Sequence, residues 1–235
     1  MSVSEIDPAF GAGVATPVDQ SAAAPRPVVE PLEMSWAGKR AFDLVFGTVL
    51  LALFTPLMLL VAFAVFFDTG GPIFFRQARV GRHGRTFMVF KFRSMTTDAE
   101  EQLSRSSELL GHYLAGDYKI CHICDPRVTR IGKFLRRTSL DELPQLFNVL
   151  AGDMSLVGPR PVRPDELERY EDRRSFYLRL RPGMTGIWQI SGRCTIKFPR
   201  RAELDEQYAR RCSFGSDLAI LARTPWAVVK GRGAN

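Results

Sequence analysis

One stretch dominates the hydrophobic pattern of this chain: residues 44–67 contain no charged side chain. At about 1.5 Å per residue, a helix of this length can cross a hydrocarbon layer of roughly 30 Å. A soluble domain of this size seldom contains so long an uncharged stretch, so a buried core helix is the weaker interpretation. The pattern therefore predicts a membrane segment.

Two features of this segment argue against a simple crossing. Pro56 lies near its middle and should break or bend the helix, while the hydroxyl of Thr55 can help to satisfy the freed carbonyls. Basic residues flank both sides, beginning with Lys39 and Arg40 before the segment, so both ends prefer the cytoplasmic face. Each half, of about 12 residues, measures roughly 18 Å. We therefore expect a re-entrant helix hairpin over residues 39–70, with a spanning helix kinked at the proline as the alternative.

The segments on either side show weaker patterns. Residues 1–38 are rich in Ala, Pro, Gly and Val and show little periodicity, which predicts a disordered tail. Short alternating runs at Ile73 to Arg76 and Thr86 to Phe92, separated by glycines, predict a β-hairpin. Apolar spacing predicts helices over Asp98 to Leu114 and Val128 to Arg137.

These elements predict one globular unit after the membrane segment. Residues 71–235 are expected to form a cytoplasmic domain of the α/β class, mostly helical with a small β-hairpin or sheet, on which the membrane hairpin packs. The C-terminal run FGSDLAILARTPWAVVKGR mixes apolar residues with Arg223, Trp226 and Lys230, as interfacial amphipathic helices do. An ordinary core-facing helix explains the same run equally well.

Composition adds an expectation about the partner. The chain has 32 basic and 25 acidic residues, and 26 of the basic ones are arginine. Arginine favours planar, multidentate anionic oxygens, which points to phosphate. Cys121 and Cys124 form a CxxC pair, but the other two cysteines stand alone, so a four-thiolate zinc site would need distant ligands. The pair is given no role.

The stretch TSLDELPQLFNVL at 138–150 places two acids side by side before a proline. Ser139 and Glu142 have the spacing of a helix-capping box, so Glu142 could simply cap a helix. Proline favours the first helical position, however, and predicts that the helix starts at Pro144 and runs to Leu150. Asp141 and Glu142 would then precede a helix N-terminus, which favours anions.

Two carboxylates at such a place suit magnesium. This ion prefers carboxylate and phosphate oxygens and keeps several waters, so two acids are sufficient protein ligands. Arg136 lies upstream of the pair, and Arg160 lies downstream between two prolines of GPRP. Positioned arginines beside carboxylates suggest phosphoryl transfer.

Three motifs resemble one family in the right order. These are KFRSM at 91–95, DPRVTRIGKFLRRTSLDELPQLFNVLAGDMSLVGPRP at 125–161 and PGMTGIWQISGR at 182–193. They are similar to the bacterial sugar transferases, the monotopic polyprenyl-phosphate phosphoglycosyl transferases, over about residues 39–233. The family commonly has Ser-Pro where Thr55 and Pro56 stand here.

The resemblance implies a reaction and its partners. A sugar 1-phosphate, here a hexose such as galactose or glucose, would move from a UDP-sugar donor to the undecaprenyl phosphate acceptor, giving a lipid diphosphate sugar and UMP. The site would lie on the cytoplasmic face of the bacterial inner membrane and serve exopolysaccharide or other glycoconjugate synthesis. Mg²⁺ would be the cofactor, and no nucleic acid would be bound.

The resemblance also implies roles for individual residues. Asp141 would be the nucleophile that forms an aspartyl phosphosugar, and Glu142 would help to hold magnesium. The phosphates would be bound by Lys91, Arg93, Arg136 and Arg160. A nucleotide or sugar pocket is implied at Gly186, Trp188, Gln189 and Arg193, although a tight turn around a buried tryptophan explains the first three equally well.

Two questions stay open at this point. A membrane-bound nucleic-acid-binding or scaffold protein without catalysis is the alternative function, but it predicts basic residues alternating with exposed aromatics, and acids interrupt the basic stretch here. The sequence also does not indicate whether the chain forms a homo-oligomer.

Overall fold

A computed structural model describes residues 36–115, 120, 125–192 and 195–229 of the 235-residue chain. The described part is mostly helical and contains two small sheets, in agreement with the predicted mixture. The predicted tail, up to residue 35, and the pair Cys121 and Cys124 lie outside the described residues. The helices are α1 (Trp36–Thr69), α2 (Ala99–Arg105), α3 (Ser107–Ala115), α4 (Arg130–Thr138), α5 (Gln145–Ala151), α6 (Pro164–Leu167), α7 (Arg174–Arg179), α8 (Ile187–Ser191), α9 (Arg200–Arg211) and α10 (Phe214–Val229). The strands are β1 (Phe74–Val80), β2 (Thr86–Phe92), β3 (Ser155–Val157) and β4 (Gly183–Thr185).

Helix α1 runs without interruption through Thr55 and Pro56. The missing N–H of Pro56 removes one backbone hydrogen bond, which a helix tolerates when packing holds its two sides. The hydroxyl of Thr55 donates to the carbonyl of Leu51 at 2.6 Å, a side-chain bond that often accompanies a bend. The structure therefore has one helix where the sequence pattern predicted two separate halves.

The two sides of α1 face different surroundings. Buried positions recur along one side from Lys39 to Val65, and they pack on the rest of the chain. The opposite side is apolar and uncovered. Its side chains that are more than half exposed are Val45, Val49, Leu53, Leu59, Leu60, Phe63, Phe66 and Phe67. By length and composition α1 is able to cross a membrane, and its uncovered apolar side is the kind of surface that lipid covers.

Both ends of α1 contact the same domain. Near its start, the guanidinium of Arg40 donates to the carbonyls of Val149 and Leu150 at 2.6 and 2.7 Å. Near its end, Val65 packs in a cluster with Phe92 and Leu135. The domain thus holds the helix at two points on either side of Pro56.

A buried polar cluster fixes the start of α1. Lys39 forms an ion pair with Asp217 of α10, and the hydroxyl of Tyr208 of α9 donates to the same carboxylate at 2.7 Å. Asp43 accepts from the hydroxyl of Ser155 of β3 at 3.0 Å. Because a buried charge left without its partner is costly, this cluster specifies one docking position for the helix.

The strands form two separate two-stranded sheets. β1 and β2 pair as an antiparallel hairpin, with Phe74 opposite Phe92 and Val80 opposite Thr86. The predicted hairpin is confirmed, but its first strand extends four residues beyond the predicted end at Arg76. β3 and β4 are parallel and short, and between them the chain passes through α6 and α7.

Two helical predictions are refined by the structure. The predicted helix over 98–114 is two helices, α2 and α3, because Ser106 between them has an extended backbone. The predicted helix over 128–137 is α4, and Thr129 caps it by accepting from the N–H of Gly132 at 2.9 Å. The main core lies where α1, β2, α5, β3, α9 and α10 meet and includes Phe42, Val89, Leu146, Val157, Tyr208 and Ile220.

Asp205 of α9 makes a testable contribution to the pH dependence of stability. It is 3% exposed and accepts from the hydroxyl of Tyr170 at 2.6 Å. Burial raises its pKa to about 6, against the opposing charge of Arg201. Since the folded pKa exceeds the ordinary value of 3.8, its stabilising contribution is complete below pH 3.8 and is lost as the pH rises to about 6. The loss is roughly 3 kcal/mol, at about 1.4 kcal/mol per pH unit.

We therefore expect Asp205→Asn to weaken the dependence of stability on pH, because asparagine can still accept from Tyr170 but does not ionise. The measurement is the melting temperature of both proteins in detergent between pH 4.5 and 7.5. The melting temperature of the variant should rise relative to that of the unchanged protein as the pH increases. A constant difference across this range would contradict the assignment.

Candidate active site

The two adjacent acids lie in a short 3-10 turn, Leu140–Glu142, between α4 and α5. Ser139 ends α4 in the left-handed conformation, with φ 59°, and its side chain makes no capping bond to the turn. The capping alternative is therefore wrong for this serine. α5 begins at Gln145 with Pro144 as its N-cap residue, one residue later than predicted, and both acids precede it as expected.

Asp141 is a buried carboxyl group with cations around it. Its side chain is 8% exposed. Burial raises its pKa to about 6, the nearby carboxylate of Glu142 adds to this effect, and the charges of Lys91, Arg136 and Arg160 oppose it. At neutral pH the group is therefore largely ionised, and it is held in a buried, positively charged environment.

Glu142 is held by two cations from distant parts of the chain. Its Oε1 lies 2.8 Å from Nζ of Lys91 on β2 and 3.3 Å from Nη1 of Arg160. Burial and the charges of neighbouring arginines lower the pKa of Lys91, while the carboxylate of Glu142 opposes that change. One carboxylate oxygen thus joins the β-hairpin to the GPRP segment.

Arg136 approaches the acids from α4. Its Nε donates to the hydroxyl of Ser94 at 2.8 Å, which orients the guanidinium. α4 lies close to the backbone at Ser94, since a Cβ added to Gly132 would lie 2.0 Å from the Ser94 carbonyl oxygen. Behind it, Arg127 and Asp125 form a buried two-bond ion pair at 2.9 and 2.8 Å. These contacts hold the basic end of α4 in place.

Two residues of the cleft beside Glu142 were missed by the sequence reasoning. Arg79 on β1 and the buried Gln145 of α5 both line it, together with Lys91 and Arg160. Burial and the charges of other arginines lower the pKa of Arg79 to about 10, opposed by a carboxylate of α6. The signal for Arg79 was the strand period: it stands four residue pairs from Lys91, an even number, and therefore on the same face of the β-hairpin.

The third motif forms a wall behind Arg160. The guanidinium of Arg160 lies 5.5 Å from the ring centroid of Trp188, whose indole N–H donates to the carbonyl of Ile196 at 3.1 Å. Trp188 and Gln189 are buried in α8, and Gly186 precedes that helix. Both interpretations of this motif, a ligand pocket and a turn around a buried tryptophan, agree with these positions.

Of four further predicted site residues, three do not line this cleft and one is not described. Arg93 donates through Nε to the carbonyl of Pro72 at 2.8 Å, so it fastens the segment that precedes β1. Thr55 and Pro56 belong to α1 and are not among the residues that line the cleft. Arg193 lies outside the described residues.

Comparison with known proteins decides the family. Residues 34–231 match the bacterial sugar transferase family. The chain belongs to this family.

Several named relatives of this sugar transferase are similar along most of the chain. It is 45% identical over 199 residues to the undecaprenyl-phosphate galactose phosphotransferase of Salmonella typhimurium, covering 83% of this chain and 41% of that protein. It is 44% identical over 199 residues to the exopolysaccharide production protein ExoY of Rhizobium meliloti, covering 83% of this chain and 87% of that protein. It is 43% identical over 206 residues to the undecaprenyl-phosphate glucose phosphotransferase of Komagataeibacter xylinus, covering 79% of this chain and 35% of that protein. The chain thus spans only about two fifths of the length of the Salmonella protein.

The donor groups present allow a magnesium ion only with help from a ligand. Among the described residues of this sugar transferase, no group of three or more His, Cys, Asp or Glu side chains is placed to hold a metal. Asp141 and Glu142 are two adjacent carboxylates, and Mg²⁺ usually binds through one or two carboxylates together with substrate phosphates and water. The acid pair therefore fits a magnesium ion that arrives with a phosphorylated substrate.

A close backbone contact positions the segment that carries Arg160, and it can be tested. A Cβ added to Gly186 would lie 2.2 Å from the carbonyl oxygen of Gly158, and a backbone atom cannot move away cheaply. We expect Gly186→Ala to destabilise the fold by about 1–3 kcal/mol, which lowers the melting temperature by several degrees. Gly111→Ala is the matched control, because nothing lies within 4 Å of its added Cβ. Equal melting temperatures for the two variants would contradict the close contact.

Proposed function

We propose that this protein transfers a sugar 1-phosphate from a UDP-sugar to undecaprenyl phosphate, giving undecaprenyl-diphosphate-sugar and UMP. The single observation that carries the proposal is the buried acid pair, in which Asp141 lies among three cations and Glu142 is shared by Lys91 and Arg160. The names of relatives, which specify undecaprenyl phosphate with galactose or glucose, support a hexose as the sugar. We place the reaction at the first membrane step of exopolysaccharide or similar glycoconjugate synthesis.

In the first half of the proposed reaction, a carboxylate oxygen of Asp141 attacks the β-phosphorus of the UDP-sugar. The bond from this phosphorus to the bridging oxygen breaks, and the oxygen leaves with UMP. Asp141 is then joined to the sugar phosphate through an acyl phosphate bond, and no proton is needed because the nucleophile is already ionised. Covalent catalysis of this kind divides one displacement into two easier ones.

In the second half, a phosphate oxygen of undecaprenyl phosphate attacks the same phosphorus. The acyl phosphate bond breaks and returns the free carboxylate of Asp141. Throughout, the guanidinium groups of Arg136 and Arg160 and the ammonium group of Lys91 stabilise the negative charge on the transferring group, since each is held in the dry site before the substrate arrives. Arg79, on the same cleft, extends this positive surface.

Magnesium belongs to the proposal as well. Asp141 and Glu142 would hold the ion, which would neutralise charge on the diphosphate of the donor. The contacts of Glu142 to Lys91 and Arg160 keep its carboxylate oriented in the absence of substrate.

The alternative of a nucleic-acid-binding protein finds little support in the contacts. The basic residues nearest the acids are turned inward and paired: Lys91 and Arg160 with Glu142, and Arg127 with Asp125. A nucleic-acid surface instead presents unpaired cations and stacking aromatics to solvent.

The test uses purified protein with Mg²⁺, undecaprenyl phosphate and a panel of UDP-sugars, and it measures UMP release. We expect Asp141→Asn to lower the rate by at least about 1,000-fold, because the amide is not a nucleophile. Asp153→Asn, at an exposed acid nearby in the chain, is the control and should keep the full rate. With labelled UDP-sugar and no acceptor, the unchanged protein should retain label covalently and Asp141→Asn should not. UMP release by Asp141→Asn at the unchanged rate would refute the mechanism.

We further propose that α1 enters the cytoplasmic face of the bacterial inner membrane and returns to it, with its bend at Thr55 and Pro56. The support is that both ends of the helix contact one polar domain. Arg40 contacts α5, and Val65 packs against β2 and α4. A domain in contact with both ends of a spanning helix would have to lie inside the bilayer. α10, with Phe214, Trp226 and Val229 exposed, would lie along the same membrane surface.

This topology predicts the labelling of two engineered cysteines. Ala37→Cys, before the apolar stretch, and Arg85→Cys, in the β-hairpin turn, are both exposed positions. In intact spheroplasts neither should react with a membrane-impermeant maleimide, and after permeabilisation both should react, with the unsubstituted chain as the background. A spanning helix predicts instead that one of them reacts in intact spheroplasts.

A further inference from the structure

Three arginines form a cluster near the start of α1. Arg82 lies in the turn between β1 and β2, Arg179 ends α7, and Arg181 precedes β4. All three are half-buried. Nε of Arg82 donates to the carbonyl oxygen of Arg179 at 3.0 Å, so the Arg82 side chain lies against the backbone of Arg179. Burial and the charges of Arg181 and Arg179 lower the pKa of Arg82.

This cluster differs from other arginines of the described part. Arg79, Arg127, Arg163 and Arg173 each form an ion pair with a carboxylate. Within the described residues, no ion pair involves any of the three clustered arginines. Half-buried like charges repel one another, and an anion placed between them would turn that repulsion into attraction.

The position of the cluster indicates where such an anion would come from. The guanidinium of Arg82 lies 4.1 Å from the ring centroid of Trp36, the first residue of α1. The uncovered apolar side of α1 begins at Leu44, just after the last charged residue of its first turns, Asp43. Trp side chains favour the headgroup level of a bilayer, so, with α1 inserted as proposed above, the cluster would lie at the level of lipid phosphates. None of the three arginines lines the cleft beside Glu142.

We propose that Arg82, Arg179 and Arg181 form a binding site for the phosphate of an anionic phospholipid, with Trp36 packed against its glycerol region. Guanidinium groups suit this ligand because they bind phosphate oxygens with two parallel bonds and are weakly hydrated. The site is separate from the proposed reaction, so its test can succeed or fail independently of catalysis.

The test is native mass spectrometry of the full-length protein released from mixed micelles of phosphatidylglycerol and phosphatidylcholine. The unchanged protein should retain phosphatidylglycerol preferentially. The triple variant Arg82→Gln, Arg179→Gln, Arg181→Gln should lose the preference, because each arginine near an anionic lipid contributes a factor of about five, on the order of 100-fold for three.

The matched control removes the same charge elsewhere. Arg105, Arg200 and Arg210 are exposed and each pairs with a carboxylate on its own helix, so their triple replacement by Gln should leave the preference unchanged. An equal loss in both triple variants would show a general effect of net charge and overturn the site. Because Arg82 also bonds to the backbone, Arg179→Gln with Arg181→Gln serves as the second variant, and it should lose roughly 25-fold at that factor of about five for each arginine.

Two further arms separate the sources of phosphate. Inorganic phosphate at millimolar concentration should not displace phosphatidylglycerol if the lipid is the occupant; full displacement would identify free phosphate and overturn the proposal. Undecaprenyl phosphate in place of phosphatidylglycerol should be retained equally by the unchanged protein and the triple variant. A loss confined to undecaprenyl phosphate would make the cluster part of the acceptor site and would also overturn the phospholipid proposal.

Discussion

The carboxylate of Glu142 is the contact on which the site depends. It meets Lys91 from the β-hairpin and Arg160 from the segment after β3, two parts of the chain that have no other reason to bring like charges together. Without it, Lys91, Arg79 and Arg160 would repel one another inside a partly dry cleft. With it, the cations stay near the adjacent Asp141 and stabilise its ionised carboxylate. One acid thus assembles the positive surface, and the other is the proposed nucleophile.

The anchoring of α1 serves the same geometry. Arg40 donates to the last carbonyls of α5, the end of a helix where partial negative charge collects and where a cation is favourable. The first residue of α5 comes three residues after Glu142. α1 therefore holds the C-terminal end of α5, and the N-terminal end of α5 follows the acid pair. The ion pair of Lys39 with Asp217 reinforces this docking from a second direction.

The sequence predicted the local elements better than their continuity. Alternation identified the β-hairpin, and Pro144 placed the acids before α5, because both signals act within a few residues. Pro56 was expected to separate two helices, yet one proline removes only one hydrogen bond, and contacts from Arg40 to Val65 decide whether the helix continues. Ser106 shows the converse error, in which a predicted single helix is divided. Nothing in the local sequence pattern indicates the extended backbone at this residue.

The site could be predicted where a motif places residues close together along the chain. Asp141, Glu142 and Arg136 lie within a few positions, and the structure brings them together. Arg79 was missed, because its position beside Lys91 on one face of the hairpin depends on the register of two strands. Arg93 stands in the same motif as Lys91 and bonds to Pro72, a contact that its neighbour in sequence could not reveal, and its role in phosphate binding stays a prediction.

The shortness of α5 has a consequence for the proposed lipid acceptor. Seven residues of helix measure about 10 Å, so the acid pair lies only about this far along α5 from the point at which Arg40 of α1 contacts it. An acceptor phosphate could meet Asp141 while every carbon of its isoprenoid chain stayed in the hydrocarbon. An enzyme built in this way would recognise the phosphate of its acceptor, and its activity would depend little on the number of isoprene units in the lipid chain.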